Sequence, residues 1–289
     1  MKKSAKDSQY HYRTLPLIIG SVLIFYSCFA DAGQNFRSRA HTDTQTAHTQ
    51  KDIEVEIAFG RNIAARILGQ FPLHQNDELT RYVNLIGKAL ALHSSRTEIE
   101  YYFAVIESPH ANAYSTPGGY IFITTGALKQ MQDEAELAAV LAHEIAHVTE
   151  RHIVKALNIR GADTSAAASF GRLLSGSSNT AQAAISQVVD KAINILFAEG
   201  YQQQDELSSD QVAVELLAST GYDTLALPRY LTRLEQTLTD TEEQHATITH
   251  PPTSERQAKL KAFLVHEGLD TLDFPKATNR FKDYVSFSQ

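Results

Sequence analysis

His143-Glu144-Ile145-Ala146-His147 sits inside a long apolar segment, and this pentapeptide constrains the chain more than any other feature. Leu137, Val140, Leu141, Ile145 and Val148 recur around it at helical spacing. The segment from about Asp133 to Val154 is therefore expected to form one helix with those side chains on its buried side. A spacing of four places both imidazoles on one face, a turn apart, where they can reach a single Zn²⁺. Glu144 lies about 100° further round the helix, so its carboxylate reaches water on the metal rather than the metal. Zinc lowers the pKa of such a water and the glutamate takes its proton, the pairing that hydrolysis requires. The bland alternative is a helix carrying two partly exposed histidines.

Composition narrows what can complete such a site. The 289-residue chain has one cysteine, Cys28, so a disulfide framework or a Cys-rich metal site within it is excluded. Any metal must be held by His and carboxylate. With 26 Lys plus Arg against 33 Asp plus Glu, the net charge is −7, and no basic surplus exists to neutralise phosphates. Nucleic acid is thus not an expected partner. The extended zinc motif would need Gly at position 150 and His at 153, where this chain has Glu150 and Ile153. His152 is one residue early and is expected to point away. The other known solution is a glutamate on a later helix with an aspartate four residues on. Glu206-Leu207-Ser208-Ser209-Asp210 supplies both on one helical face and opens an apolar run, Val212, Val214, Leu216 and Leu217. Glu206 would ligate one Zn²⁺ per chain, and Asp210 would accept a hydrogen bond from the far nitrogen of a ligand histidine. Asp205 is the competing ligand, though no similar partner stands at 209.

Elsewhere, Ile57, Ile63, Ala64, Ile67 and Leu68 mark a helix over Ile53–Leu68, ending near Phe71-Pro72. A second runs from Asp77, read as its N-cap, through Leu79, Val83, Ile86 and Leu90. Tyr101–Glu107 is a strand by its β-branched and aromatic content. Asn112–Tyr114, a Thr116-Pro117-Gly118-Gly119 turn and Tyr120–Thr124 read as strand, turn and strand. Two helices, a small sheet and a helical bundle make an α+β fold. No internal repeat of about 20–50 residues is present. Residues 161–180, rich in Gly, Ser and Ala, read either as a surface loop with a short helix or as a mobile lid. At the N-terminus, Lys2, Lys3, Lys6 and Arg13 precede the uncharged stretch Leu15–Ala30, and Ala30-Asp31-Ala32 supplies a cleavage site. Residues 1–32 are expected to be a signal peptide and 33–52 a flexible linker, with His41 and His48 as linker residues rather than ligands. The periplasm is the expected location. Lipid attachment at Cys28 after Ser27, or retention of the apolar stretch as an anchor, are the alternatives. In either, membrane association runs only through the N-terminus.

Asn112-Ala113-Tyr114, Pro117 to Thr124 with Gly126, His143 to His147 and Glu206 to Asp210 occur in this order, and together they resemble the zinc peptidases of the HtpX and BepA (YfgC) type. The resemblance covers roughly residues 53–265. It implies a mainly helical gluzincin-like zincin fold for residues 53–289, the zinc metallopeptidase domain, and proteolysis of unfolded or misassembled envelope proteins in bacteria. Outer-membrane β-barrel quality control is an implied role and the β-barrel assembly machinery an implied partner. Lacking the several membrane helices of HtpX and the repeat domain of BepA, the chain is expected to be of the short, single-domain periplasmic or lipoprotein type.

Two further features gain meaning beside that resemblance. As an edge strand, Gly119–Thr124 could pair with an extended substrate backbone, the alternative being an interior hairpin strand. Asn112, Gly119, Tyr120, Ile121 and Phe122 are the candidate substrate contacts. His250 precedes Pro251-Pro252 and so lies on an extended turn. In similar peptidases a His-Pro here lies near the metal. His250 would then be a fourth ligand in a latent state or a donor to the tetrahedral oxyanion in an active one, against a loop histidine capping the next helix; His245 is a weaker candidate. By the same analogy Arg256 positions His250 or a substrate carbonyl. The resulting expectation is a zinc endopeptidase with Glu144 as general base and later proton donor. A chaperone-like client binder is the rival. A purely structural zinc domain is disfavoured, because structural sites seldom keep a spare glutamate beside an open position.

Overall fold

Sixteen consecutive residues, Glu134–Thr149, form a helix (α4) that is buried on every face. Sequence periodicity suggested one buried side. The structure buries all of them because Ala135, Ala138, Ala139, Ala142 and Ala146 let neighbouring elements approach closely from several directions. The computed structural model describes residues 50–157, 179–237 and 253–286, which lie within one unit, Thr44–Gln289. The signal segment, Cys28, residues 161–178, His245 and His250 fall outside the described residues. No described helix is long and apolar enough to cross a membrane.

Helices α1 (Gln50–Gln70) and α2 (Asp77–Ala91) come first. Asn76, rather than Asp77, caps α2 by accepting the Leu79 N–H, which makes Asp77 the first helical residue. Strands β1 (Tyr102–Ile106), β2 (Ala113–Thr116) and β3 (Tyr120–Thr124) follow, then a short helix α3 (Thr125–Gln130) and α4. After α4 come α5 (His152–Ala156), α6 (Asn179–Asn194), a π-helical turn over Ile195–Glu199, α7 (Gln203–Thr220), α8 (Ala226–Thr237), α9 (Thr253–His266) and α10 (Thr278–Tyr284). The arrangement is the α+β architecture expected: a mainly helical, zincin-like domain with a small sheet beside α4.

One expectation about the sheet does not hold. Its strand order is β1-β3-β2, with β3 parallel to β1 and antiparallel to β2, so β3 is the central strand and not an edge. The cause is that Tyr102–Ile106 aligns in register with Tyr120–Thr124, which consumes the side of β3 that a hairpin would leave open. The outer edge of β1 is also closed: Asn84 pairs with both backbone groups of Phe103, and His74 N–H donates to Val105 O. That leaves the outer edge of β2. Between β2 and β3 the turn requires positive φ at Gly118 and Gly119, 77° and 88°. Helix α1 packs onto this turn so tightly that a Cβ at Gly60 would meet Pro117 O at 1.5 Å.

Phe59, Ile63 and Ile67 of α1 pack with Ile106, Tyr114, Phe122, Val189 and Ile195 into one core behind the sheet. Burial of each such side chain contributes about 1.5–3 kcal/mol. On the other side of α4, α7 presents Glu206, Ser209, Asp210, Ala213, Val214, Leu216 and Leu217 as a single buried stripe. The first turn of α4 is pinned by Glu134, which is buried and accepts hydrogen bonds from Tyr82 Oη at 2.8 Å, Tyr222 Oη at 2.6 Å, and the Arg280 guanidinium. These donors come from α2, the segment after α7, and α10. Burial pushes the Glu134 carboxyl up, but Arg280, Tyr222 and Tyr82 more than offset it and leave it lowered. A depressed carboxyl contributes stability that is present above its unfolded value and lost as pH falls through the folded one. Glu134→Gln should therefore lose about 1.5–3 kcal/mol at neutral pH. In urea denaturation at stepped pH, the gap from wild type should shrink below about pH 4.5.

Candidate metal centre

Where α4 crosses α7, three side chains turn toward one point. His147 Nε2 lies 3.0 Å from His143 Nε2. The Glu206 carboxylate spans the pair, with Oε2 3.3 Å from His143 Nε2 and Oε1 3.3 Å from His147 Nε2. All three residues are buried, and their ligand atoms lie within 4.8 Å of one another. A tetrahedral zinc with bonds of about 2.0–2.1 Å separates its ligand atoms by about 3.3 Å, so the donor spacing suits that ion. Asp205, the competing ligand, is not in this cluster; one position earlier on the helix, about 100° round, it turns toward His152.

The charges make the same point. Glu144, Glu206 and Asp210 are buried beside the Arg256 guanidinium. With both imidazoles neutral, as metal ligands must be, three formal negative charges against one positive leave an excess of two, which a divalent cation would neutralise. Asp210 Oδ1 lies 2.9 Å from His143 Nδ1, so the proton on that nitrogen faces outward and the Nε2 lone pair faces the cluster. Burial pushes His143 down, but Asp210 and Glu206 together raise it to about 9 without a metal, and a metal on Nε2 would displace the second ring proton. Asp210 itself is pushed up by burial and then brought down to about 2 by Arg256 and His143. Arg256 clamps Asp210 with two bonds, Nε to Oδ2 at 2.8 Å and Nη2 to Oδ1 at 2.6 Å, and its Nη1 lies 3.6 Å from Glu206. The buried Arg256 guanidinium, expected by analogy to position His250 or a substrate carbonyl, holds the two carboxylates of α7, while His250 lies outside the described residues.

His152 is not among the cluster's ligand atoms, as its spacing implied, but it does not point away from the site. Helix α4 stops at Thr149, and Arg151 adopts a left-handed conformation (φ 58°, ψ 39°) before α5 begins. A non-glycine residue there costs about 1–2 kcal/mol, which buried ion pairs offset: Arg151 lies 3.1 Å from Glu56, and Glu56 2.7 Å from Arg96. The reversal brings His152 back against His147, Nδ1 to Nδ1 at 2.8 Å, with the rings nearly perpendicular. A continuous helix would have sent it elsewhere, which is why periodicity missed it. Burial and the neighbouring His147 push His152 down to about 2, so it is neutral.

Tyr201 was not singled out from sequence either. Its ring stacks on His147, centroids 4.1 Å apart and 19° from parallel. It lies on the segment that carries Ile195, Leu196 and Gly200 over Glu144 and the outer edge of β2. Asn112, at the start of β2, donates from Nδ2 to Tyr114 Oη at 3.2 Å and lines the same space as Glu144. The other candidate substrate contacts lie elsewhere in the sheet. Gly119 O accepts from Tyr102 N–H, Tyr120 stacks on Tyr102, and Ile121 and Phe122 are core residues.

The sequence profile of peptidase family M48 matches residues 74–264. The chain is 27% identical over 221 residues to the beta-barrel assembly-enhancing protease of Escherichia coli, covering 75% of this chain but 45% of that protein. It is 29% identical over 185 residues to a putative beta-barrel assembly-enhancing protease of Vibrio cholerae, covering 63% and 38%. To the metalloprotease LoiP of Escherichia coli it is 24% identical over 197 residues, covering 67% of this chain and 74% of that one. The chain thus spans less than half of the first two relatives. Elemental analysis of purified protein should find about one zinc per chain in wild type and none in His147→Ala or Glu206→Ala. Removing the ion should lower stability by about 4 kcal/mol when free zinc stands about 1,000-fold above Kd, read as a drop in Tm on chelation.

Proposed function

This chain belongs to peptidase family M48, and from that premise we propose that it is a zinc-dependent endopeptidase of the bacterial cell envelope acting on unfolded or misassembled proteins. The observation that carries the reading is the convergence of His143, His147 and Glu206 on one buried point with Glu144 on the same helix. Zinc held by those three residues would polarise the scissile carbonyl and acidify water beside it. Glu144 would take the proton of the attacking water and return it to the departing amine. Asp210, fixed by Arg256, orients His143. His250 enters as the donor to the oxyanion in an active state or as a fourth ligand in a latent one.

An extended substrate would add to the outer edge of β2 rather than to β3, because β3 is paired on both sides. Backbone pairing selects for extended chain without demanding one sequence, which supports unfolded clients. The names of the relatives point to β-barrel assembly in the outer membrane as the setting, with the assembly machinery as a partner and the periplasm, free or through a lipid on Cys28, as the location. The latent, client-binding reading also has an observation in its favour: Ile195, Leu196, Gly200 and Tyr201 leave only a narrow cavity between themselves, Glu144 and β2.

Purified protein should cleave an unfolded model protein in a zinc-dependent way. Glu144→Gln should lower the rate by about 10²–10⁴-fold while still binding one zinc. A wild type that holds zinc, binds the unfolded protein and cuts nothing would favour the client-binding reading.

A further inference from the structure

His143 and His147 enter the cluster alike but are supported differently. His143 leans on a carboxylate of α7, Asp210, at 2.9 Å. His147 leans on another histidine. Its Nδ1 lies 2.8 Å from Nδ1 of His152, and Ser209 Oγ lies 3.4 Å from the same His152 nitrogen. On the far side of that ring, His152 Nε2 is 3.5 Å from Asp205 Oδ1. His152 is buried, and Asp205 stands at the half-buried end of the series.

The proton assignment follows from these contacts. A neutral imidazole carries one proton. If His147 Nε2 offers its lone pair to a metal, its proton sits on Nδ1. Two Nδ1 atoms at 2.8 Å can share only one proton between them, so His152 Nδ1 must be the acceptor. The proton of His152 then lies on Nε2, facing the Asp205 carboxylate. Each tautomer in the series is fixed by the next group outward.

We propose that His152 is a positioning residue for the metal ligand His147, accepting its Nδ1 proton so that Nε2 faces the ion, with Asp205 fixing the tautomer of His152 in turn. This rests on the metal-site reading above. It assigns a purpose to the left-handed Arg151, whose backbone reversal is what returns His152 to the site. It also explains why Asp205 and Glu206 are adjacent: one residue serves the ion, and the other serves the outer partner of its second histidine. Outer partners of this kind change metal affinity by about 10–100-fold when removed.

The test is zinc affinity of the full-length protein, measured by competition with a chromophoric chelator, alongside the visible spectrum of the cobalt-substituted form. His152→Leu should weaken zinc about 10–100-fold and alter the cobalt bands. His152→Asn, which keeps an acceptor near the Nδ1 position, should recover most of the affinity; a merely structural role would leave both variants alike. Asp205→Asn should weaken zinc in the wild-type background and have no effect in His152→Leu, because it acts only through that ring. If His152→Leu does not fold, the Asn substitutions at 152 and 205 decide: near-wild-type affinity in the first with a loss in the second supports the proposal. Unchanged affinity in folded His152→Leu, or an Asp205→Asn loss that persists without His152, overturns it. A wild type that binds no zinc overturns the metal reading itself; zinc binding abolished by His147→Ala but indifferent to His152 overturns this proposal alone.

Discussion

The site on α4 depends on one electrostatic constraint, the burial of Glu144, Glu206 and Asp210 with the Arg256 guanidinium beside two imidazoles. Such an excess is tolerable only if each charge meets a partner or an ion. Arg256 takes Asp210 in a two-bond clamp and borders Glu206, which fixes α9 against α7. Asp210 fixes the His143 tautomer. The remaining inward atoms are all electron-pair donors, spaced as a small cation would space them. The Ala-rich surface of α4 is the packing counterpart, since larger residues would hold α7 too far away for Glu206 to reach both imidazoles.

The same helix is held at its two ends by different devices. At the start, Glu134 collects two tyrosines and an arginine from three other elements, so the direction of α4 is set by hydrogen bonds to a buried anion. At the end, the chain reverses through a left-handed arginine stabilised by Glu56 and Arg96. Both ends thus draw on long-range ion pairs to position a helix whose own sequence is mostly apolar. Apolar packing alone would allow such a helix to slide or rotate; the buried charges specify one register.

The inner cluster was legible in the sequence because helical spacing is local: His143 and His147 share a face by arithmetic, and Glu206 with Asp210 does likewise. The α+β order and the limits of β3 were readable for the same reason. What was missed is non-local. The position of β3 depends on a parallel partner, β1, that no hairpin signal announces. The site-facing His152 depends on a helix break at Glu150-Arg151, where nothing in the pattern of apolar residues stops. Tyr201 reaches His147 from a segment more than fifty residues away, and its aromatic character alone does not distinguish it from a core tyrosine. Arg256 is non-local in the same way: its partners Asp210 and Glu206 stand more than forty residues earlier, on α7.

The narrow space beside Glu144 bears on how a peptidase of this kind would choose its clients. Among the described residues the outer strand edge beside Glu144 is that of β2, and Ile195, Leu196, Gly200 and Tyr201 line a narrow cavity with it. An incoming chain must replace the contacts that this segment makes, including the Tyr201 stack on His147, before its backbone can pair. A folded protein has no free extended stretch with which to do so. An unfolded one does, and a stretch with apolar side chains would recover the buried surface given up by Ile195 and Leu196. Discrimination would then rest on conformation and apolar content rather than on a cleavage sequence.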